Sequence, residues 1–142
     1  MYYPFEKAVA SPDATKMLAA SFAEQINSTR TVVLNGELGS GKTFFVKQTC
    51  NAWGIRNVSS PSFAIVNNYR NSKPVYHFDF YRIKNISELF DIGFNDYLND
   101  NEAVIFIEWG NLVPEVLPKE RIEINIEILG DTKRFFRFNK YE

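Results

Sequence analysis

Eight consecutive residues, Gly36-Glu37-Leu38-Gly39-Ser40-Gly41-Lys42-Thr43, satisfy the pattern G-x-x-x-x-G-K-[ST]. They follow the β-branched run Thr31-Val32-Val33-Leu34 and precede a segment, residues 43 to about 53, that reads as a helix. Strand, glycine loop and helix in that order leave few folds open. A loop of this kind wraps backbone N–H groups around phosphate oxygens, which demands dihedral angles and close approaches that a Cβ blocks. The helix behind it turns its partial positive pole toward the same anion. Lys42 brings a mobile full charge suited to β and γ phosphates, and the Thr43 hydroxyl suits Mg²⁺. The glycines do not fit G-x-G-x-x-G, which sets the dinucleotide-binding fold aside.

Phosphate chemistry on such a loop also needs an acid at the end of a neighbouring strand. Residues 103–107, Ala-Val-Ile-Phe-Ile, form a continuous apolar run of the sort buried on both faces, and Glu108 ends it. This is the Walker B pattern with Glu where Asp is usual. Glu108 can hold Mg²⁺ through water, orient the attacking water, or both; the plainer reading is a strand that ends in an exposed Glu. Trp109 reads either as a core residue or as an aromatic platform for a base. In the segment 75–82 a period of two puts His77, Asp79 and Tyr81 on one face. Either Asp79 is a second acid near metal and nucleotide with His77 beside it, or this is a solvated face with Arg82 paired to a surface acid. Ser59-Ser60-Pro61-Ser62-Phe63 lies where a γ-phosphate sensor often sits, and its hydroxyls suit that role as well as they suit a plain loop.

The remaining pattern is α/β. Ser11-Pro12-Asp13 is a helix start, and Ala14, Leu18, Phe22 and Ile26 give that helix, running to about Gln25, one apolar stripe. Strands are predicted over 63–69 and 75–81, joined by a turn at 70–74, with short helical pieces at 87–90 and 95–98 around Gly93. Residues 121–128 alternate cleanly, and Gly130-Asp131 turns the chain into a last strand at 134–138. The expected architecture is a single P-loop NTPase-like domain spanning 1–142, in three layers. Its central mixed β-sheet carries the glycine-loop strand in the middle and an antiparallel hairpin at the edge.

Lys plus Arg number 16 against 17 Asp plus Glu, so the net charge is −1 and no general attraction to nucleic acid is built in. A free-standing DNA- or RNA-binding module is disfavoured. Residues 85–108 hold six acids and no Lys or Arg, a solvated face or a partner patch. No apolar run approaches the roughly 18–20 residues that cross a bilayer, and the first ten residues lack a signal-peptide layout. With one cysteine, Cys50, the chain has no internal disulfide, and a cytoplasmic location without membrane is expected.

Taken in order, the loop at 36–43, Ser60-Pro61-Ser62-Phe63, His77-Phe78-Asp79-Phe80-Tyr81-Arg82 and Glu108-Trp109 resemble the TsaE family, small bacterial P-loop ATPases of tRNA threonylcarbamoyladenosine synthesis. The likeness runs from the Ser11 helix through Trp109. It implies ATP and Mg²⁺ as cofactors, and hydrolysis of ATP to ADP and phosphate that is slow alone and stimulated by partners. The implied partners are TsaD and TsaB, with tRNAs that read ANN codons reached only through that complex. It implies that Thr43, Asp79 and Glu108 surround Mg²⁺, and that Gly39, Ser40, Gly41, Lys42, Thr43 and Phe44 hold the phosphates. Trp109 then lies near the nucleotide, and Lys42, Asp79 and Glu108 carry the catalysis. Where the family commonly has Thr, this chain has Ser62, which keeps the hydroxyl and loses a methyl. The turn around Gly130 is implied to help form the adenine pocket.

Two other classes compete. A small-molecule kinase uses the same loop but needs an acceptor pocket and usually a basic lid, and no Arg-rich lid segment is present. A nucleotide-gated binding module uses the site as a switch, with incidental turnover. GTP is disfavoured, since no D-x-x-G occurs and the final Asn-Lys-Tyr-Glu misses N-K-x-D.

Overall fold

The strand that feeds the glycine loop sits at the centre of one seven-stranded sheet in the computed structural model, which describes residues 1–61 and 64–142. Along the chain the elements are β1 (Phe5–Val9), α1 (Pro12–Gln25), β2 (Thr31–Gly36), α2 (Lys42–Ala52), β3 (Val66–Arg70) and β4 (Pro74–Asp79). There follow α3 (Ser87–Asp91), α4 (Phe94–Leu98), β5 (Val104–Glu108), two 3-10 turns (Gly110–Leu112, Pro114–Val116), β6 (Arg121–Ile128) and β7 (Arg134–Tyr141). The sheet order is β1-β7-β6-β2-β5-β4-β3. β2 runs parallel to β5 and β6, and β5 parallel to β4; β3 is antiparallel to β4, and β7 to both β6 and β1.

Alternation along the central strands divides the core in two. Val32, Leu34, Val104 and Phe106 face one way, with Ile122, Ile124, Ile126, Phe136 and Phe138, and pack under α1 and α2. Val33, Ile105, Ile107 and Phe78 face the other way and meet Leu89 of α3, Phe94 of α4 and Leu117 after the second 3-10 turn. β5 is buried along its whole length, as its unbroken apolar run requires. The third layer stops short, however. On β6 the second face carries Glu123, Asn125 and Glu127, which are half-buried to exposed, so the cover there spans the β2-β5-β4-β3 side of the sheet and leaves β6 open.

Local chemistry accounts for the first helix. The Ser11 hydroxyl accepts the Ala14 N–H at 3.1 Å, Pro12 opens the helix, and Leu18, Ala19 and Phe22 form its buried stripe. Several strand boundaries differ from expectation, among them the end of β7, at Tyr141 rather than 138. β4 ends at Asp79 rather than 81, because the Asp79 carboxylate accepts the Tyr81 N–H at 3.0 Å and turns the chain out of the ladder. β3 begins at Val66, and Ser62 and Phe63 lie outside the described residues. β1, which the sequence reading does not contain, pairs Phe5 with Phe138 at the sheet edge. Both edges of the sheet are therefore antiparallel.

Two outcomes test the packing. Phe45 is fully buried on α2, with ring centroids 5.8 Å from Phe22, 5.4 Å from Phe136 and 6.0 Å from Phe138. Phe45→Ala should cost about 3–5 kcal/mol in urea unfolding, and a loss under about 1 kcal/mol would contradict this placement. Cys50 is buried on the same helix, and burial pushes its thiol up to about 12. In the native protein at pH 8 it should react with a disulfide reagent only at the rate of unfolding; prompt labelling would place Cys50 at the surface.

Candidate functional site

The loop between β2 and α2 owes its path to two glycines above all. A Cβ on Gly36 would lie 2.6 Å from Ser40 Oγ and 2.7 Å from the Ile126 carbonyl oxygen, so only hydrogen fits. Gly41 caps α2 at φ 105°, in the left-handed region that side chains resist. Lys42, the first residue of α2, folds its Nζ back to donate to the Gly36 carbonyl at 2.6 Å and the Glu37 carbonyl at 3.0 Å. The same ammonium lies 4.1 Å from the Trp109 ring centroid. Burial lowers the Lys42 pKa, and the charges of Glu108 and Asp79 work against that shift.

The acid expected beside the loop is in place. β2 and β5 pair Leu34 with Glu108, which brings the end of β5 level with the start of the loop. The Thr43 hydroxyl donates to both carboxylate oxygens of Glu108, at 2.9 Å and 2.8 Å. Glu108 is only 3% exposed, so the reading of a solvated strand end does not hold. His77 of β4 is fully buried, with Nε2 2.5 Å from Glu108 Oε2. Its Nδ1 has no partner among the described residues. The ring proton belongs on Nε2, where an acceptor waits. The polar face of β4 is thus turned inward, against Glu108 and α2, and not toward water.

Asp79 pairs across the sheet with Glu108 and shares its face. Its Oδ1 accepts the Tyr81 N–H and its Oδ2 the Ser60 hydroxyl at 3.4 Å. Burial raises the Asp79 pKa and the nearby Glu108 charge adds to this, while the Tyr81 N–H, His77 and Ser60 oppose it. Ser60 thereby ties the segment read as a γ-phosphate sensor to the site; Ser62 of that segment lies outside the described residues. Trp109 follows at φ 62°, the only non-glycine residue with positive φ among those described. Its ring lies 4.9 Å from that of Tyr81 and packs on the second core cluster, so it is both core and cleft wall.

Of the phosphate, metal, nucleotide and catalytic residues that the resemblance implies, all but Ser40 line one cleft of about 480 Å³, namely Gly39, Gly41, Lys42, Thr43, Phe44, Asp79, Glu108 and Trp109. Ser40 lines an adjoining cavity of about 200 Å³ with Gly41, Phe44, Arg134 and Phe136. The two cavities share Gly41 and Phe44. Tyr81 and Arg82 also line the cleft, and neither was singled out as a site residue. Arg134, which grips the loop by its carbonyls, was missed as well. Its only sequence signal was its place just after the Gly130 turn.

A central parallel strand, a glycine loop at its carboxyl end, and an acid at the tip of the next strand define a P-loop NTPase-like domain. The fold superimposes on a crystal structure of Bacillus subtilis YdiB with TM-score 0.80 and 29% identity, over all of this chain and 88% of that one. Residues 9–136 match the family described as "Threonylcarbamoyl adenosine biosynthesis protein TsaE", and the chain belongs to that family. The tRNA threonylcarbamoyladenosine biosynthesis protein TsaE of Bacillus subtilis is 38% identical over 138 residues, 93% of this chain and 85% of that protein. Its counterpart in Rickettsia prowazekii is 36% identical over 133 residues, 92% and 91% of the two chains. Among the described residues no helix is long and apolar enough to cross a membrane.

The raised Asp79 pKa fixes the sign of a pH effect. A carboxyl whose folded pKa lies above its unfolded one adds stability at low pH that is lost as pH climbs through the folded value. Asp79→Asn removes that dependence. Its stability relative to the unsubstituted protein, from urea midpoints, should therefore rise between pH 4 and pH 7.5, and a relative fall over that range would refute the assignment.

Proposed function

We propose that this chain is an ATP-hydrolysing protein of tRNA threonylcarbamoyladenosine biosynthesis that works with the TsaD–TsaB complex. The observation that carries the reading is the Thr43–Glu108 pair: a phosphate loop's terminal hydroxyl bonded to a buried acid on the adjacent strand, with Lys42 beside them. Its relatives' names supply the pathway. The loop amides and Lys42 neutralise the triphosphate, and Lys42 can exchange the Gly36 and Glu37 carbonyls for phosphate oxygens.

The donor set fits Mg²⁺. Thr43 spends its proton on Glu108, which leaves the hydroxyl lone pairs for a cation. Among the described residues no group of three or more His, Cys, Asp or Glu is set to hold a metal. Mg²⁺ is usually bound by one or two protein oxygens together with substrate phosphates and water. When bound, Mg²⁺ supplies neutralisation of charge on the β and γ phosphates. Thr43 would hold it, Glu108 and Asp79 would be the carboxylates at hand, and His77 fixes the orientation of Glu108. Glu108 or Asp79 orients the attacking water in line with the γ-phosphate. The cavity of about 200 Å³ beside Phe44, walled by the Gly130 turn through Asp131 and Thr132, is the place for the adenine ring. Turnover alone is slow, and the partner complex raises it.

Glu108→Gln keeps the side chain's size and an oxygen for Thr43 but loses the negative charge. Phosphate release, alone and with TsaD–TsaB, should fall by roughly 10²–10³-fold, while ATP affinity stays within about threefold. Equal losses in affinity and turnover would make Glu108 a binding group only. Release as fast alone as with the complex would remove the partners from the reading.

A further inference from the structure

Arg134 opens β7, and among the described residues every hydrogen bond of its side chain goes to a main-chain carbonyl. Its Nη1 donates to Gly130 at 2.7 Å, Lys133 at 2.9 Å and Asp131 at 3.4 Å, all in the β6–β7 turn. The other edge of the guanidinium reaches across to the phosphate loop, with Nε donating to the Ser40 carbonyl at 3.0 Å and Nη2 to the Gly39 carbonyl at 3.3 Å. A planar fork of donors suits this double grip, and a Lys ammonium cannot reproduce it.

A trans peptide points its C=O and the following N–H in opposite directions. Holding the Ser40 carbonyl against Arg134 therefore sends the Gly41 N–H the other way, at the N-terminus of α2, where a phosphate meets amides. The loop needs such a hold. Gly39 and Gly41 sit at φ 81° and 105°, and glycines have many other conformations to visit. Ser40 N–H donates to Glu37 at 3.0 Å, and Ser40 Oγ has no partner among the described residues, so its side chain does not supply the restraint.

We infer that Arg134 is a positioning residue for nucleotide phosphates, acting through the Gly39 and Ser40 carbonyls and coupling the β6–β7 turn to the shape of the phosphate loop. The inference rests on the nucleotide-binding reading above and deepens it. Arg134 also walls the smaller cavity, so the test must separate hold on the loop from contact with a base.

Titration calorimetry of the full chain with MgATP and with magnesium tripolyphosphate, which has phosphates but no base, makes that separation. Arg134→Gln should weaken both ligands by the same factor, about tenfold, the size of one lost charge-assisted hydrogen bond. KM for ATP should rise by that factor, with a much smaller fall in saturated turnover. Arg134→Lys, which keeps the charge without the fork, should recover little of the loss and stay at least about fivefold weaker than the unsubstituted chain for both ligands. Weaker ATP binding with unchanged tripolyphosphate binding would make Arg134 a base contact and overturn the inference, as would no change in either. If Arg134→Gln fails to fold, an Arg134→Lys protein with full affinity for tripolyphosphate overturns it equally. An unsubstituted chain that binds neither ligand defeats the nucleotide reading itself, a result distinct from the others.

Discussion

A carboxylate buried at the end of a central strand cannot stand alone. Desolvating Glu108 costs several kcal/mol unless hydrogen bonds replace the lost water, and the sequence places a donor on each side of it: Thr43 from the first turn of α2 and His77 from β4. Three elements far apart in the chain are thus locked to one side chain. The lock also explains why a histidine occupies an otherwise aromatic strand. The buried carboxylate and imidazole satisfy one another, so the polar cluster adds to the apolar contacts in setting the register of β4 against β5.

The loop around this cluster is held from outside by similar means. Its inner surface is backbone, made possible by Gly36 and Gly41, and its outer carbonyls are gripped by Lys42 from within and Arg134 from the opposite hairpin. The second acid, Asp79, is fastened to the turn after β4 and to Ser60. Charges in the cleft therefore sit on elements anchored to the sheet, which is the condition for electrostatic preorganisation.

Features written in local pattern were legible beforehand. The Ser11 cap, the four-residue stripe of α1, the glycine loop and the apolar run ending in Glu108 each depend on residues within a few positions of one another. Lys42, Thr43 and Glu108 were singled out from them, because the loop motif and the strand-end acid carry their own chemistry, whereas local pattern left the roles of Asp79 and Trp109 open. What resisted was non-local. β1 has charged residues Glu6 and Lys7 in its middle and exists because the β7 edge offers it a ladder, with Arg137 bonded to Glu6 at 2.6 Å. The period-two pattern gave the shared face of His77 and Asp79 but not which way it points, since the parallel core buries both faces of β4. Arg134 lies 94 residues from the Ser40 carbonyl that it holds, and no local signal marks that pairing.

The strand order also governs how the chain can acquire its loop. β2 leaves the ribosome early, yet Val32 pairs with Phe106 on one side and Ile122 on the other, so both neighbours arrive only after most of the chain has been made. Until then a β-branched apolar strand and a glycine loop have no ladder to join, and the nascent chain must keep them from other strands. High sequence separation slows such closures. The phosphate loop, encoded in the first third of the chain, has a complete ladder behind it only once β5 and β6 have joined β2.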